Sequence, residues 1–512
     1  MENDNDLLMN EATTDEAVEE RKPQENEVTA PTEAPSNKKQ NKFDKFFGIS
    51  KSGSNYKTEI IAGLTTFMSM VYALLVVPSM YGDAVEFGAV YIATALGAIV
   101  GTMLMALLAK MPLAQASGLG ATAYVTGTLL AAGSGLTYAN AMIFVLLDGI
   151  IFIVLTATGI RKKILQAIPE EVKISIPVGI GMFIAFIGFN NAGLVKLSEG
   201  SIGFASFNVL SGNLSYLSTV AAVLTLLGVI AIAILAAKKV NGAILWGILG
   251  TTVLYFVFAG LGCAWKDPDC IAKFSGMTIE NPFKAFGSWG KYSVGQVFAN
   301  GFNFSKYLAI EGNNGGTLVV LILTSALSLC MIDMFDTLGT LYGACSKGGL
   351  IDKDGNPLRM NQCMLSDAIA TCVGSVCGAS TVTTYVEASS GVAAGGKTGF
   401  AAFVTGICFL LATFLSPIAQ IIPDCATAAA LVWVGVLMIS AVKNVNWANP
   451  AAALPAFLTI AVMAFGYSIS FGIGIGLISC VIIKICTGKI KEISPVTYVI
   501  SALFILMFLL TN

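Results

Sequence analysis

The chain has 512 residues, of which 55% are hydrophobic and only 12% charged, with a formal net charge of −2 and no histidine. A soluble globular chain carries about 25% charged residues, so a mean hydropathy of +0.77 points to a lipid bilayer as the solvent. The charge balance excludes the basic field that holds nucleic acid, and the absence of histidine leaves any proton relay to Asp or Glu.

Residues 1–45 are rich in Glu, Asp, Asn, Thr and Pro and read as a disordered, acidic cytoplasmic tail, because they carry too little apolar surface to fold alone. No short apolar core with a small-residue cleavage site precedes the first span, so a secretory signal peptide is not expected. Stretches near bilayer length, roughly 20 residues, then recur. The first set is 60–80, 87–108, a broken segment over 113–132, 139–158, 174–194, 217–236 and 243–263. An extracellular loop, 264–316, separates it from 318–342, 364–379, a broken segment over 380–394, 400–418, 428–442, 452–486 and 496–510. The stretch 452–486 is long for one span and short for two. The expectation is an all-α polytopic membrane protein of about fourteen transmembrane segments, with a first repeat over 57–263, a second over 317–512, and broken third and tenth segments. Basic clusters at Arg161-Lys162-Lys163, Lys238-Lys239, Lys347 to Arg359 and Lys397 fall on one side if the tail is inside, as the positive-inside rule requires.

The two broken segments carry a weak internal repeat. Ala121-Thr122-Ala123-Tyr124-Val125-Thr126 reads against Val382-Thr383-Thr384-Tyr385-Val386-Glu387. Gly-interrupted segments at corresponding places in two halves mark a transporter site at an inverted-repeat interface, since irregular backbone at membrane depth survives only where it is buried or lines a cavity. The plainer alternative is close packing of two small-residue helices.

Acids within apolar segments are costly and rarely idle. Asp333 and Asp336 lie three apart and share a helix face, and Glu387 follows the second broken segment. Asp148 and Asp367 are further candidates at span ends or packed interfaces. A charged Glu387 can accept hydrogen bonds from two adjacent N–H groups on the edge of a heterocycle, while Asp336, Asp333 or Glu387 itself can carry a proton. The alternative for each acid is a tie between helices through Ser, Thr or backbone groups.

Gly391 to Thr398 satisfies the P-loop pattern G-x-x-x-x-G-K-[ST], but it joins two apolar segments with no α/β domain around it, so Lys397 reads as an interfacial anchor. Without histidine the Ser-His and Cys-His nucleophile pairs are excluded, and no enzyme activity, cofactor or metal site is expected. Most of the eleven cysteines sit in apolar segments and behave as small hydrophobes; Cys263 and Cys270 flank the outer loop, where an oxidised pair and two free thiols are both open.

From Thr58 to the end the chain resembles the AzgA-like hypoxanthine/guanine/adenine permeases of the xanthine/uracil permease superfamily. The residues that carry the resemblance are Thr58 to Phe67, Ile180 to Gly188 with Asn191 to Leu194, Asp333 to Thr340, Ser380 to Glu387 and Gly391 to Gly399. It implies two inverted seven-helix repeats split into core and gate domains, purine import at the plasma membrane by alternating access, and coupling to a proton rather than sodium. A homodimer is left open. By position, Glu387 and Asp333 become the main base-binding acids, with Asp336 close by, Thr122 and Ala123 on the first half-helix, and Thr383 and Thr384 on the second segment. The family usually has Pro and Asn where Ser117 and Thr122 stand, Gln where Asn190 stands, and Met-Pro-Leu-Thr-Tyr-Ser where this chain reads Met463 to Ser468. Thr at 122 replaces an amide with a single hydroxyl, which bears on substrate choice. An anion transporter of the same architecture is the alternative, and three acids near the site speak against it.

Overall fold

The computed structural model describes residues 42–131, 133–158, 168–198, 201–204, 215–275, 281–353 and 356–510. Residues 1–41 of the expected tail and the basic run 161–163 lie outside the described residues. Lys42–Phe47 forms a short helix, so helical structure starts inside the segment expected to be tail.

The first span is α1 (Tyr56–Met70), capped by Asn55, whose side chain accepts from the Thr58 N–H, and α2 (Ala73–Met80), offset from it at Val71-Tyr72. Then come α3 (Phe87–Leu104), the half-helix α4 (Leu119–Tyr124), α5 (Tyr138–Thr158), α6 (Glu170–Asn191), α7 (Tyr216–Ala237) and α8 (Ala243–Ala264). The second half comprises α9 (Gly315–Gly348), α10 (Met360–Cys377), the half-helix α11 (Ala388–Ala393), α12 (Gly399–Ala412), α13 (Asp424–Ile439), α14 (Pro450–Phe465), α15 (Ile469–Cys486) and α16 (Pro495–Leu510). Among the described residues, ten helices are long and apolar enough to cross a membrane, which makes this a multi-pass membrane protein.

The stretch 452–486 resolves into two helices. Asn449 caps α14 with Pro450 at its first position, and Ser468 caps α15. The turn between them holds Tyr467 in left-handed backbone, φ 51°, with its ring against Phe183 and Phe186 at 5.0 and 5.8 Å.

Two groups of helices pack together. In one, α12 lies on α1 and α3, α10 on α3 and α5, and α9 on α5. In the other, α6 lies against α13 and α14, and α7 and α8 pack on each other and on α13. The α6–α13 contact brings backbone to backbone, since a Cβ on Gly435 would stand 2.5 Å from the Gly181 carbonyl oxygen. Helix α4 touches both α6 and α9, so the first broken segment sits where the groups meet.

The loop after α8 is folded. Its helix Pro282–Tyr292 packs on α3, and Trp289 Nε1 donates to the Cys377 carbonyl at 2.8 Å. Cys263 and Cys270 are both free thiols. Cys270 is buried, and desolvation together with the neighbouring Asp267 carboxylate pushes its thiol up to about 11.

Candidate functional site at the crossing of the broken segments

Strand β1 (Gln115–Ser117) pairs antiparallel with a strand over Val382–Thr384, in the register Gln115↔Thr384, Ala116↔Thr383 and Ser117↔Val382. Gly118 N–H to the Thr381 carbonyl, 2.8 Å, and Tyr385 N–H to the Ala114 carbonyl, 3.1 Å, extend the ladder at both ends. The unpaired backbone that a broken membrane helix creates is thereby satisfied by the other broken helix. The strand at 382–384 thus pairs with 115–117, six residues before the Thr122 run that resembles it in sequence.

Beneath the crossing, Asp367 on α10 is the hub. Its Oδ1 accepts from Gln115 Nε2 and from Thr384 Oγ1, the latter at 3.1 Å, and its Oδ2 accepts from Thr337 Oγ1 on α9. One buried carboxylate therefore ties α9, α10 and both strands together. Tyr385 adds a further tie, donating to the Ser117 carbonyl at 2.5 Å.

Glu387 stands at the start of α11, half-buried, and accepts a hydrogen bond from Tyr72 at the α1–α2 break, 2.6 Å to Oε1. Its carbonyl accepts from Ser390 Oγ at 2.7 Å, and that hydroxyl also reaches Ser69 at 3.0 Å. Asp336 comes in from α9 beside the start of α4: a Cβ added to Gly120 would lie 3.6 Å from its Oδ2. Tyr72, Tyr385, Asp336 and Glu387 are electrostatic neighbours. Two carboxylates and two phenols from three elements thus converge beside the crossing.

The other expected residues divide. Asp333 is fully buried one turn before Asp336. Thr122 is fully buried, with its hydroxyl donating to the Gly118 carbonyl at 2.8 Å and sharing a 2.6 Å bond with Ser380. Ala123 is buried, Thr383 packs against Gly118, and Thr384 is held by Asp367. Asp148 lies on α5 next to Gly149, which abuts Cys372, and neither of its carboxylate oxygens has a hydrogen-bond partner among the described residues. Gln115 carried no sequence signal beyond being an amide in an apolar run, and Tyr72 carried none at all.

At its far end α4 opens on a cavity of about 280 Å³ lined by Tyr124, Ser325, Tyr467, Ser470 and Met507 among others. Ser470 Oγ donates to Tyr124 Oη at 2.8 Å, joining α15 to α4.

This arrangement, two crossed broken helices with acids at their starts inside a polytopic bundle, fits a solute carrier. A family model described as "Permease family", Xan_ur_permease, matches residues 57–475. The chain belongs to this xanthine/uracil permease family. It is similar to the putative permease MJ0326 of Methanocaldococcus jannaschii, 38% identical over 91% of this chain and 98% of that one. It is also similar to the guanine/hypoxanthine permease PbuO of Bacillus subtilis (strain 168), 37% identical over 90% and 98%. The adenine permease AdeP of Escherichia coli (strain K12) is 35% identical over 91% and 96%. Among solved structures, the transmembrane domain of the cyanobacterial bicarbonate transporter BicA shares the fold at a TM-score of 0.56, with 17% identity over 81% of this chain and 96% of that one. SLC26A9 shares it at 0.57, with 12% identity over 87% and 68%. The protein is a membrane permease and not an enzyme.

Proposed function

We propose that this permease imports purine nucleobases across the plasma membrane by alternating access, and that the base binds beside the strand crossing with Glu387 as its principal partner. The observation that carries the reading is the pairing of Glu387 with Tyr72 beside Asp336, an acceptor-rich edge at membrane depth that matches the adjacent N–H donors of a purine. The relatives named for guanine, hypoxanthine and adenine transport support the substrate class.

The same reading takes Asp336, Glu387 and Asp333 as carriers of a coupling proton, with no histidine to share the task. It takes the chain as two inverted repeats, 57–263 and 317–512, with the group holding both broken segments as the core and α6–α8 with α13–α15 as the gate. The N-terminus lies in the cytoplasm, where the basic loops gather. Thr122 fixes the first half-helix to Ser380, and its effect on substrate choice runs through the shape of that helix. The anion-transporter reading has the shared fold with BicA and SLC26A9 in its favour, but two carboxylates at the site repel an anion.

The test is uptake of labelled hypoxanthine into cells lacking their own purine carriers, with adenine, guanine, uracil and sulfate as competitors. Uptake competed by purines and lost in Glu387→Gln supports function and site together. No purine uptake by a correctly inserted protein replaces the reading with the anion transporter.

A further inference from the structure

The run Gly391 to Thr398 has the spacing of a phosphate-binding loop, yet its backbone cradle is already filled. The N–H groups of Lys397 and Thr398 donate to Glu59 Oε1 and Oε2 at 3.0 and 3.3 Å, so a carboxylate of the chain's own α1 occupies the place a phosphate takes in a true P-loop. The Lys397 side chain is left over. It lines a cavity of about 380 Å³ together with Lys110, which ends the second span, and Arg359, which precedes α10; Phe47 and Ser52 of the N-terminal segment and Leu350 and Leu358 of the α9–α10 loop are also in its wall.

Among the described residues none of these three cations forms a salt bridge to a carboxylate. The contacts of Lys110 and Arg359 are to backbone carbonyls and a ring. Lys110 Nζ donates to the Phe46 carbonyl at 3.1 Å and sits 4.3 Å from the centroid of the Phe46 ring, while Arg359 Nη1 donates to the Ala109 carbonyl at 3.2 Å. Glu59 serves the backbone of the loop and does not line the cavity. Lys110 and Arg359, φ 53° each, cap the end of the second span and the start of α10, so both stand at helix boundaries facing the cavity.

We propose that this cavity binds a phosphate-bearing anion at the cytoplasmic face, either the headgroup of an anionic lipid or a free phosphate compound. A planar guanidinium with two ammonium groups around a concave wall that also carries Ser52 and Thr398 matches a tetrahedral oxyanion, and basic pockets between spans at this depth suit anionic headgroups. The site is separate from the strand crossing, so it stands or falls independently of the substrate assigned above.

Thermal unfolding of the purified full chain tests it with two probes: phosphatidylglycerol against phosphatidylcholine in mixed micelles, and sodium phosphate against sodium chloride at equal ionic strength. The expected result is a saturable rise in Tm with at least one phosphate probe. Half-saturation weakens by roughly a hundredfold in Lys110→Gln/Arg359→Gln/Lys397→Gln and is kept in Lys110→Arg/Lys397→Arg, which leaves the Arg359 guanidinium in place. A response to the lipid alone assigns a headgroup site; a response to both assigns free phosphate. Arg359→Gln alone, at an exposed position, carries the test at roughly a fivefold weakening if the triple variant does not fold. No saturable rise with either probe, or an equal rise in the glutamine variants, overturns the proposal.

Discussion

Asp367 and Glu387 are both acids within the bundle, and their surroundings assign them opposite tasks. Asp367 is fully buried and its acceptors are filled by Gln115, Thr337 and Thr384; Glu387 is half-buried with one oxygen bonded to Tyr72. Asp367→Ala orphans three buried donors and should lower the stability of the solubilised protein by roughly 3 kcal/mol, read as a lower denaturation midpoint. Glu387→Gln should leave that midpoint within error and remove uptake. Tyr72→Phe deletes one hydrogen bond to an acid and should raise the apparent KM by about tenfold with the protein still folded. Sequence alone marked Glu387 and Asp336 as acids within the bundle, because a charge in an apolar run is conspicuous. It could not rank Asp367, whose partners come from three distant segments, and it could not find Tyr72, since a tyrosine in a span looks like any other apolar residue until a carboxylate lies against it.

At the scale of elements, the glycines of the P-loop lookalike have a packing explanation. A Cβ on Gly391 would stand 2.0 Å from Thr66 Oγ1 and 2.5 Å from the Ala62 carbonyl oxygen, so α11 can lie against α1 only without a side chain there. Gly391→Val must push the second half-helix off α1, and with it the end of the chain segment that carries Glu387. The expected outcome is loss of monodisperse protein after extraction, at a cost of about 3 kcal/mol or more. Gly343→Ala is the control: its added Cβ meets nothing within 4 Å on an exposed face of α9, and removing glycine from a helix interior should raise stability by about 1 kcal/mol. The existence and approximate bounds of the long spans were readable from hydropathy. The broken segments were readable as broken, yet their mutual register was not, because similar letters at 121–126 and 382–387 hide a strand pairing set six residues earlier by backbone hydrogen bonds.

For the whole molecule, the last helix decides on which side the end of α16 lies. The family match stops at residue 475, inside α15, so α16 lies beyond it. Its sixteen residues carry no charge; Ile500, Phe504 and Met507 are buried against α15 and α9, while Val499, Ile505, Leu506 and Leu509 are exposed. A helix lying in the membrane surface would show a charged face, and this one has none. At 1.5 Å per residue it reaches about 24 Å, short of the roughly 30 Å hydrocarbon core but equal to α14, which has the same length. The loops α13–α14 and α15–α16 carry Lys443 and Lys489 with Lys491; under the proposed orientation, with the N-terminus in the cytoplasm, the positive-inside rule puts both loops inside and predicts that α16 crosses outward. A reporter fused after Asn512 therefore separates two topologies. Alkaline phosphatase should be active and green fluorescent protein dark, with the opposite pattern for fusions in the α15–α16 turn. Bright fluorescence at both positions would mean that α16 folds back on the cytoplasmic side, and its contacts with α9 and α15 would then have to form at the rim of the bundle rather than through it.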